Sequence, residues 1–157
     1  MSRRMSEAFS ITAIGRVSSP MTDQTDQGWG DVTSRIELQP DFERGIVGLD
    51  RFSHVIVVTF LHQAAFDPAR HLVRRPRGIP SFPEVGIFAQ RAKDRPNPIG
   101  ITAVPIVAVT GNTVTVRGLD AIDGTPVIDL KPYYPAYDLV ADASVPDWVD
   151  SLMAGYF

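Results

Sequence analysis

The strongest constraint on the fold is the spacing of short β-branched runs between proline and glycine residues. Residues 103–130 contain the runs AVPIVAV, TVTVR and VIDL, which are too short and too rich in branched side chains to favour helices. Gly111-Asn112 separates the first two runs and predicts a hairpin turn, because both residue types tolerate positive φ. Pro105 removes a backbone donor from its run, which predicts an edge strand or a β-bulge.

Further runs upstream have the same character. FSITAIGRV (9–17), SRIELQP (34–40) and EVGIFAQR (84–91) each predict a strand. SHVIVVTFLHQ (53–63) is the most apolar of the runs, which predicts a central position in the sheet. A long Arg/Pro loop at 66–83 precedes the run at 84–91. The chain is therefore expected to form a sheet from many short strands.

Helical patterns are confined to two short segments. The first covers 41–52, where Asp41 is a suitable N-cap, and the second covers 145–157. Their apolar residues at helical spacing are Phe42, Ile46 and Leu49 in the first, and Trp148, Leu152 and Met153 in the second. Strands joined by turns, with only two short helices, predict one mainly β domain over residues 1–157, barrel-like or sandwich-like, with residues 1–8 disordered.

Composition excludes several classes of protein. The 157 residues contain no cysteine, which excludes disulfides, zinc fingers, iron–sulfur centres and thiol nucleophiles. No apolar run approaches the roughly 20 residues of a membrane span, and the N-terminus lacks the apolar region of a secretory signal. Neither a Gly-x-Gly-x-x-Gly turn nor a P-loop occurs, and the three histidines lack metal-ligand spacing. We therefore expect a cytoplasmic protein with no metal.

Charge is concentrated in one loop although the net charge is only −3. The segment RHLVRRPRG carries Arg70, Arg74, Arg75 and Arg77. A cluster of this kind can bind phosphates, and it is equally typical of a solvated surface loop.

Polar residues in rigid loops are the candidates for a binding site. Pro96-Asn97-Pro98 restricts the backbone, which suits either recognition of a small polar ligand or a structural corner. Asp123-Gly124-Thr125-Pro126 predicts a β-turn, and the nearby Asp120 and Asp129 raise the alternative of a glycosidase acid/base pair. His54 has the pattern of a structural histidine, whereas His62 at a strand end is a functional candidate.

Four blocks of the sequence together resemble a known family. They are AIGRVSSP, LDRFSHVIVVTFLH, VGIFAQRAKDRPNPIGIT and GLDAIDGTPVIDLKPYYP, and they extend over about residues 11–138. Their sequences and order are similar to those of the TsaA/YaeB (TrmO-like) family. The resemblance implies a β-barrel-like, non-Rossmann fold and a homodimer with cofactor sites near the subunit interface. It also implies an enzyme that uses S-adenosylmethionine to methylate N6 of threonylcarbamoyl-adenosine at position 37 of tRNA.

The resemblance also implies which residues bind the cofactor. They are Pro20, Met21, Thr22, His62, Gln63, Arg91, Ile101, Asp123, Gly124, Thr125 and Pro126. Arg91 is suited to a bidentate contact with a carboxylate, and Asp123 can accept hydrogen bonds from ribose hydroxyls or an ammonium group. The arginines of the 70–77 loop are the candidates for tRNA contact.

Methyl transfer to an exocyclic adenine nitrogen requires help, because the nitrogen lone pair is delocalised into the ring. A nearby acceptor can remove its proton, and Asp138 and Asp129 are the candidates. Tyr133, Tyr134 and Tyr137 are available to stack on the base, with Tyr133 the first choice. The candidates for catalytic residues are therefore Asp138, Asp129 and Tyr133.

Two alternatives to a tRNA methyltransferase remain open. The chain has Ala92, Lys93 and Asp94 where the family commonly has Ser, Pro and Phe, and tRNA-modifying members often carry an additional C-terminal domain. A methyltransferase acting on a small molecule or other acceptor is therefore one alternative. A non-catalytic S-adenosylmethionine-binding protein is the other.

Overall fold

Six strands close into an antiparallel barrel in the order β1-β2-β7-β6-β3-β8. The fold is taken from a computed structural model, which describes residues 7–157. The strands are β1 Gly15–Ser18, β2 Thr33–Leu38, β3 His54–Phe60, β4 Val73–Arg74, β5 Val85–Gly86, β6 Ile99–Thr110, β7 Thr113–Arg117 and β8 Pro126–Pro132. β4 and β5 form a separate two-stranded ribbon. The predicted mainly β, barrel-like fold is confirmed. Disorder was predicted for residues 1–8, and residues 1–6 of this segment lie outside the described residues.

Helices are few and short. The α-helices are α1 Pro68–His71, α2 Pro135–Asp138 and α3 Asp147–Met153. The 3₁₀ helices are Trp29–Asp31, Pro40–Ile46, Leu49–Arg51, Pro76–Gly78 and Ile87–Ala89. Among residues 7–157, no helix has the length and apolar character that crossing a bilayer requires.

The barrel interior is filled by alternate residues of the strands. Along β3, Val55 and Val57 are buried while the alternating Ile56 and Val58 are only partly buried, as expected for a strand with one face on the core. The buried side chains that meet inside include Val17, Ile36, Leu38, Val55, Val57, Val104, Val114, Val116 and Val127. Each such side chain contributes roughly 1.5–3 kcal/mol relative to an exposed position.

The antiparallel order places the three longest connections at one end of the barrel. β1, β3 and β7 finish at this end, and β2, β6 and β8 begin there. We call it the loop end; its connections are residues 19–32, 61–98 and 118–125. The opposite end, which we call the hairpin end, carries the β6–β7 turn and the segment between β2 and β3. All loops that carry predicted cofactor residues therefore start from one end.

The hairpin and the bulge predicted from the sequence are both present. β6 and β7 are joined by Gly111-Asn112, with Gly111 at φ 60°. The β6–β7 register shifts between Ile106 and Ala108, immediately after Pro105. Pro105 still pairs with His54 of β3, so the bulge lets a proline lie in a strand that has neighbours on both sides. β3 lies between β6 and β8; because every strand of a closed barrel has two neighbours, the predicted central position does not distinguish it.

Four predicted elements are wrong in type or length. The helix predicted at 145–157 covers only Asp147–Met153. The strand predicted at 9–17 begins only at Gly15, because its partner β2 ends at Leu38, opposite Gly15, and β8 pairs with β1 at only two positions. The helix predicted at 41–52 is two 3₁₀ helices separated at Gly48, whose φ of 90° interrupts a helix. The strand predicted at 84–91 is reduced to β5, because its partner β4 offers two residues.

Gly15 allows the close approach of β1 and β2, which supports a stability prediction. A Cβ on Gly15 would lie 2.4 Å from the carbonyl oxygen of Glu37. We expect Gly15→Ala to destabilise the protein by roughly 1–3 kcal/mol, because the backbone must move. Thermal unfolding should show a fall of about 2–4 °C per kcal/mol for a chain of this size. Gly45→Ala is the matched control. Among the described residues, no non-neighbouring atom would lie within 4 Å of a Cβ at Gly45. Equal melting temperatures for both variants would contradict this account.

Candidate functional site

The turn before β8 is held against the loop after β1. The backbone N–H of Ser19 donates to Oδ1 of Asp123 at 3.0 Å, and the N–H of Asp123 donates to the carbonyl of Met21 at 2.7 Å. The N–H of Gly124 donates to the carbonyl of Val17 at 2.8 Å. Residues 20–22 and 123–126 therefore form one unit, which we call the turn group.

Local sequence explains the shape of the turn group. Gly124 has a φ of 79°, a conformation that glycine adopts without strain, and a Cβ there would meet open space among the described residues. The buried Thr125 hydroxyl donates to the carbonyl of Ile122 at 2.7 Å, and Arg16 Nη1 donates to the carbonyl of Gly124 at 3.0 Å. Met21 packs with the buried Trp29, while Pro20 and Thr22 on either side of Met21 are exposed.

A second set of predicted residues lies where β3 ends and β6 begins. Arg91 Nη2 donates to the carbonyl of Ile101 at 2.5 Å. His62 and Gln63 are exposed in the turn that follows β3. This turn is joined to the rigid proline loop, because the N–H of Leu61 donates to the carbonyl of Pro98 at 2.7 Å. We call His62, Gln63, Arg91 and Ile101 the arginine group.

Both groups lie at the loop end on neighbouring strands. Thr59 of β3 pairs with Val127 of β8 on one side and with Gly100 of β6 on the other. Since adjacent strands are 4.7–4.9 Å apart, the strands that begin at the two groups are separated by about 10 Å. The structure thus brings every predicted cofactor residue to one end of the barrel, in two groups.

The donor set of these groups fits an elongated, zwitterionic ligand. The exposed guanidinium of Arg91 suits a carboxylate, whereas the turn group offers the carboxylate of Asp123 and open backbone at Gly124. Within residues 7–157, the recorded contact of the Asp123 side chain uses Oδ1 alone. Arg91 is cationic and Asp123 is anionic, and the strands that begin at their groups are about 10 Å apart. This arrangement suits S-adenosylmethionine, which carries both a carboxylate and positive charges.

Asp129 lies on the outer wall of the barrel beside the arginine group. It pairs with Val58 of β3, which in turn pairs with Ile101 of β6. Its Oδ2 is 2.8 Å from the ammonium of Lys131, and this hydrogen bond and the Asp129 charge raise the pKa of Lys131. Asp129 also lines an open cleft of about 330 Å³, whose other lining residues include Ile14, Asp41 and Phe42 towards the hairpin end.

Tyr133 and Asp138 lie at the opposite end of the chain's own barrel. The N–H of Tyr133 donates to the carbonyl of His54, the first residue of β3. Asp138 Oδ2 accepts from the N–H of Tyr134 at 2.8 Å, and Tyr134 stacks on Phe52. Because β8 extends by about 3.3 Å per residue, Tyr133 is roughly 20 Å from the turn group. One chain therefore does not bring these two candidates to the predicted cofactor residues.

Asp120 and Asp129 do not face each other as a glycosidase pair would. Asp120 accepts hydroxyl donors at both oxygens, from Thr102 to Oδ1 and from Tyr156 to Oδ2, each at 2.5 Å. Thr102 is paired with the buried Val57, so it points into the barrel, whereas Asp129 points outward. The two carboxylates are engaged on different sides of the barrel wall. His54, the structural candidate, is hydrogen-bonded through Nδ1 to the Ser53 hydroxyl at 2.7 Å.

Most arginines of the 70–77 loop make contacts within the chain. Arg75 donates to the carbonyl of Phe82, Arg77 Nε is 3.3 Å from Asp26, and Arg74 Nη2 is 4.0 Å from Asp94. Arg70 is exposed, and within residues 7–157 its side chain has no recorded hydrogen-bond or ion-pair partner. The loop is therefore more ordered and less free to bind phosphate than its sequence indicates.

Charged residues in the first half of the segment RAKDRPNPIG (91–100) hold this loop in place. Arg95 Nη1 donates to the carbonyls of Gln90 at 2.9 Å and Ala92 at 3.2 Å. Asp94 Oδ1 accepts from the N–H of Ala65 at 2.9 Å and is 3.1 Å from Lys93 Nζ. These contacts fix the corner on which Arg91 lies.

The environment of Asp94 lowers its pKa. Burial alone would raise it, but the hydrogen bond from Ala65, the hydrogen bond and charge of Lys93, and the charge of His71 outweigh burial. His71 Nε2 lies 4.0 Å from Oδ2 of Asp94, and its Nδ1 accepts from the N–H of Asp67 at 2.8 Å. Asp94 therefore links three parts of the 61–98 connection.

Sequence reasoning missed the residues that support the two groups. Ser19 and Arg16 shape the turn group, and both lie in the block AIGRVSSP, where only Pro20 was predicted as a site residue. Gln90 is buried and donates to the carbonyls of Arg74 and Val85. A buried glutamine in an apolar run is a detectable signal, because such amides need hydrogen-bond partners. For residues 7–157, no three His, Asp or Glu side chains form a group that could hold a metal ion.

Comparison with known proteins gives a consistent picture. The sequence profile of the tRNA-methyltransferase O N-terminal domain matches residues 19–139. A Pseudomonas aeruginosa protein named putative S-adenosylmethionine-dependent methyltransferase RcsF is 42% identical over 143 residues, covering 87% of this chain and 59% of the relative. A mouse tRNA (adenine(37)-N6)-methyltransferase is 38% identical over 103 residues, covering 66% of this chain and 23% of the relative.

A solved structure shares the fold. The crystal structure of TrmO from Pseudomonas aeruginosa superposes with a TM-score of 0.75 and 29% identity, covering 93% of this chain and 64% of that chain. This chain therefore spans less than two thirds of the P. aeruginosa relative and of the solved chain, and about a quarter of the mouse relative.

The position of Asp94 supports a prediction about pH. Since its pKa is lower in the folded protein than the ordinary value of 3.8, the ionised carboxylate stabilises the fold above about pH 4. That contribution is lost as the pH falls through the lower folded-state value. We expect Asp94→Asn to lower the free energy of unfolding by roughly 1–3 kcal/mol at pH 7, with the difference from wild type shrinking below about pH 4.

Urea unfolding of both proteins between pH 7 and pH 3 checks the Asp94 prediction. Asp142→Asn, a change at an exposed carboxylate, is the control and should leave the stability at pH 7 unchanged. A difference between Asp94→Asn and wild type that does not vary with pH would contradict the role of the charge.

Proposed function

Because the chain belongs to the tRNA-methyltransferase O family, we propose that it is an S-adenosylmethionine-dependent methyltransferase whose acceptor is N6 of threonylcarbamoyl-adenosine at position 37 of tRNA. The observation that carries the proposal is the convergence at the loop end of the turn group and the arginine group. Two independent connections supply complementary charges there, on strands about 10 Å apart. A cytoplasmic location follows from tRNA as the substrate.

The two groups would hold the cofactor by its charged and polar parts. Arg91 would bind the carboxylate of the amino-acid portion, since a guanidinium matches a carboxylate in two hydrogen bonds. Asp123 would accept from ribose hydroxyls or the ammonium group, and the backbone at Gly124 leaves room for close approach. His62, Gln63 and the Ile101 backbone would border the remainder. When bound, S-adenosylmethionine supplies an electrophilic methyl group on a sulfonium.

The protein would contribute alignment and a proton acceptor. Holding the acceptor nitrogen in line lowers the entropic barrier, which can supply several kcal/mol of catalysis. A carboxylate within hydrogen-bond reach of the N6 proton would accept it as the nitrogen is methylated. Asp129 is on the wall beside Ile101, whereas Asp138 and Tyr133 lie at the hairpin end. The last two can act only if a second chain brings them over the cofactor.

A second copy of the chain is suggested by an apolar outer face on β3 and β6. Outward side chains here include Ile101, Val107 and Phe60, which are 52%, 58% and 38% exposed. The same face carries Ile56, Val58, Ile99, Ala103 and Pro105. An exposed apolar sheet face of this kind is typical of a subunit interface. We propose that two chains pack through this face.

The proposed dimer can complete the site. A two-fold axis that runs across the strands in the plane of the interface reverses the strand direction of the second copy. The hairpin end of the partner then lies beside the loop end of this chain. Asp138 and Tyr133 of the partner subunit would thereby come near Arg91 and Ile101.

A different acceptor is favoured by one observation. Arg74, Arg75 and Arg77 are engaged within the chain, so the basic loop has fewer free charges for a nucleic acid than its sequence indicates. A small-molecule acceptor, or another acceptor, is therefore the second candidate. The cofactor residues and the chemistry would be the same.

Methyl transfer to tRNA tests the proposed function directly. The protein is incubated with S-adenosylmethionine carrying a tritiated methyl group and bulk tRNA from cells that lack the enzyme. We expect label in tRNA and a methylated threonylcarbamoyl-adenosine by mass spectrometry of the nucleosides. Arg70→Glu should lower tRNA methylation while leaving cofactor affinity unchanged, because Arg70 is exposed and outside both groups. Cofactor binding without label in tRNA would favour the small-molecule acceptor or a non-catalytic binding protein.

Arg91→Ala should weaken cofactor binding at least about 10-fold, which corresponds to about 1.4 kcal/mol. The reason is loss of the cation that would bind the ligand carboxylate. Calorimetric titration with S-adenosylmethionine measures the change. Arg51→Ala is the control, because Arg51 is exposed at the hairpin end and should have no effect. Equal affinity in Arg91→Ala and wild type would remove Arg91 from the proposed site.

Mixing two inactive variants tests whether the site is shared between chains. Arg91→Ala and Asp138→Asn should each lose most activity. Mixing them with subunit exchange should restore about a quarter of wild-type activity. The reason is that about half the dimers are then mixed, and each mixed dimer holds one intact site of its two. Arg91→Ala mixed with Asp123→Ala is the control and should restore nothing, because both residues belong to the same chain's loop end. Absence of restoration, or a monomer by light scattering, would contradict the shared site.

A further inference from the structure

The C-terminal segment is hydrogen-bonded to the loop after β1. The N–H of Gly28 donates to the carbonyl of Gly155 at 2.9 Å, and the N–H of Trp29 donates to the carbonyl of Tyr156 at 2.8 Å. Trp29 is buried and packs with Met21 of the turn group. The end of the chain is therefore fixed to the connection that carries Pro20–Thr22.

The fit between these two segments depends on a glycine. A Cβ on Gly30 would lie 2.5 Å from the carbonyl carbon of Phe157. The φ of Gly30 lies outside the left-handed region, so its backbone is open to other residues. Close approach of the C-terminal backbone is therefore the structural reason for glycine at this position, in the segment QGWGD.

Tyr156 connects the same segment to the loop before β8. Its hydroxyl donates to Oδ2 of Asp120 at 2.5 Å, while Oδ1 of Asp120 accepts from the hydroxyl of Thr102 in β6. Burial of the phenol and, next, the charge of Asp120 raise the pKa of Tyr156, so the hydroxyl stays protonated and remains a donor. Asp120 is three residues before Asp123 of the turn group.

The third connection of the loop end also contacts this segment. The guanidinium of Arg77 lies over the ring of Tyr156, 5.8 Å from its centroid, and forms an ion pair with Asp26 at 3.3 Å. The rings of Phe82 and Trp148 are 6.1 Å apart. Residues 147–157 therefore contact all three long connections of the loop end.

We propose that residues 147–157 are a clamp that positions the cofactor site, with Tyr156 and Gly30 as its positioning residues. This inference rests on the proposed function, because it concerns the same site. The segment lies outside residues 19–139, the part matched by the family profile. None of its residues belongs to the turn group or the arginine group. Its role would be to hold the loop at 19–32 and the turn at 118–125 in the geometry that binds S-adenosylmethionine.

Two variants release the clamp in different ways. Tyr156→Phe removes the hydroxyl that bonds Asp120 and keeps the ring. Gly30→Ala adds a methyl group where the backbone of Phe157 lies. Asp142→Asn, at an exposed carboxylate outside residues 147–157, and Gly45→Ala in open space are the matched controls. Circular dichroism establishes the temperature range in which every variant is folded, and binding is measured within that range.

Affinity and kinetics separate positioning from general stability. We expect Tyr156→Phe and Gly30→Ala each to raise the Kd for S-adenosylmethionine at least about 5-fold by calorimetry at a temperature where the protein is fully folded, while both controls bind as wild type. The KM for the cofactor should rise with kcat at saturating cofactor nearly unchanged. The double variant should weaken binding by less than the product of the single effects, because both changes act through the same clamp.

Hydrogen exchange supplies a readout that needs no cofactor. Amides of residues 19–28 and 118–125 should exchange faster in both variants, whereas those of β3 should not change. If Tyr156→Phe does not fold, Gly30→Ala alone tests the clamp, and the reverse also holds. Wild-type affinity in a folded variant whose 19–28 amides exchange faster would overturn the clamp. Failure of wild-type protein to bind S-adenosylmethionine would instead overturn the proposed function.

Discussion

Pairing of β1 with both β2 and β8 is the contact on which the rest of the structure depends. It closes the barrel, with Gly15 opposite Leu38 on one side and Val127 on the other. Closure brings the loop after β1 against the turn before β8, where Ser19 and Asp123 bond. A side chain at Gly15 would collide with the neighbouring backbone, so the smallest residue in the first block of the sequence makes the closure possible.

Charged residues in this protein serve the architecture more than their sequence positions indicate. Asp94 accepts a hydrogen bond from Ala65 and lies within 4.0 Å of His71 and Arg74. Arg95 donates hydrogen bonds to two carbonyls of its own loop. Such contacts hold a long connection that has little regular structure of its own, because backbone groups in loops need partners. Arg91 of the arginine group differs in being exposed at the loop end, with a single hydrogen bond to the carbonyl of Ile101 among the described residues. Arg74, Arg75 and Arg77 of the 70–77 loop are likewise engaged within the chain.

The loop end and the outer face of β3 and β6 meet at Ile101, which belongs to the arginine group and to the apolar face. This position gives the proposed dimer and the proposed cofactor site a common border. The same topology explains why Tyr133 and Asp138 are distant within one chain: β8 begins at the loop end and they follow its other end. The proposed site therefore needs residues from both ends of the barrel, which only the proposed second chain can bring together.

The sequence by itself determined the mainly β class and the β6–β7 hairpin, limited Pro105 to an edge strand or a bulge, and supplied the candidates for cofactor binding, because these depend on local backbone preference and on short motifs. It misjudged the segment 41–52, where spacing of apolar residues favoured an α-helix but Gly48 interrupts it. Only the tertiary structure decided that the predicted cofactor residues share one end, that Tyr156 reaches Asp120, and that most of the arginine loop is engaged. Those facts depend on which strands pair and on contacts between residues far apart in the chain, and local pattern carries no information about either.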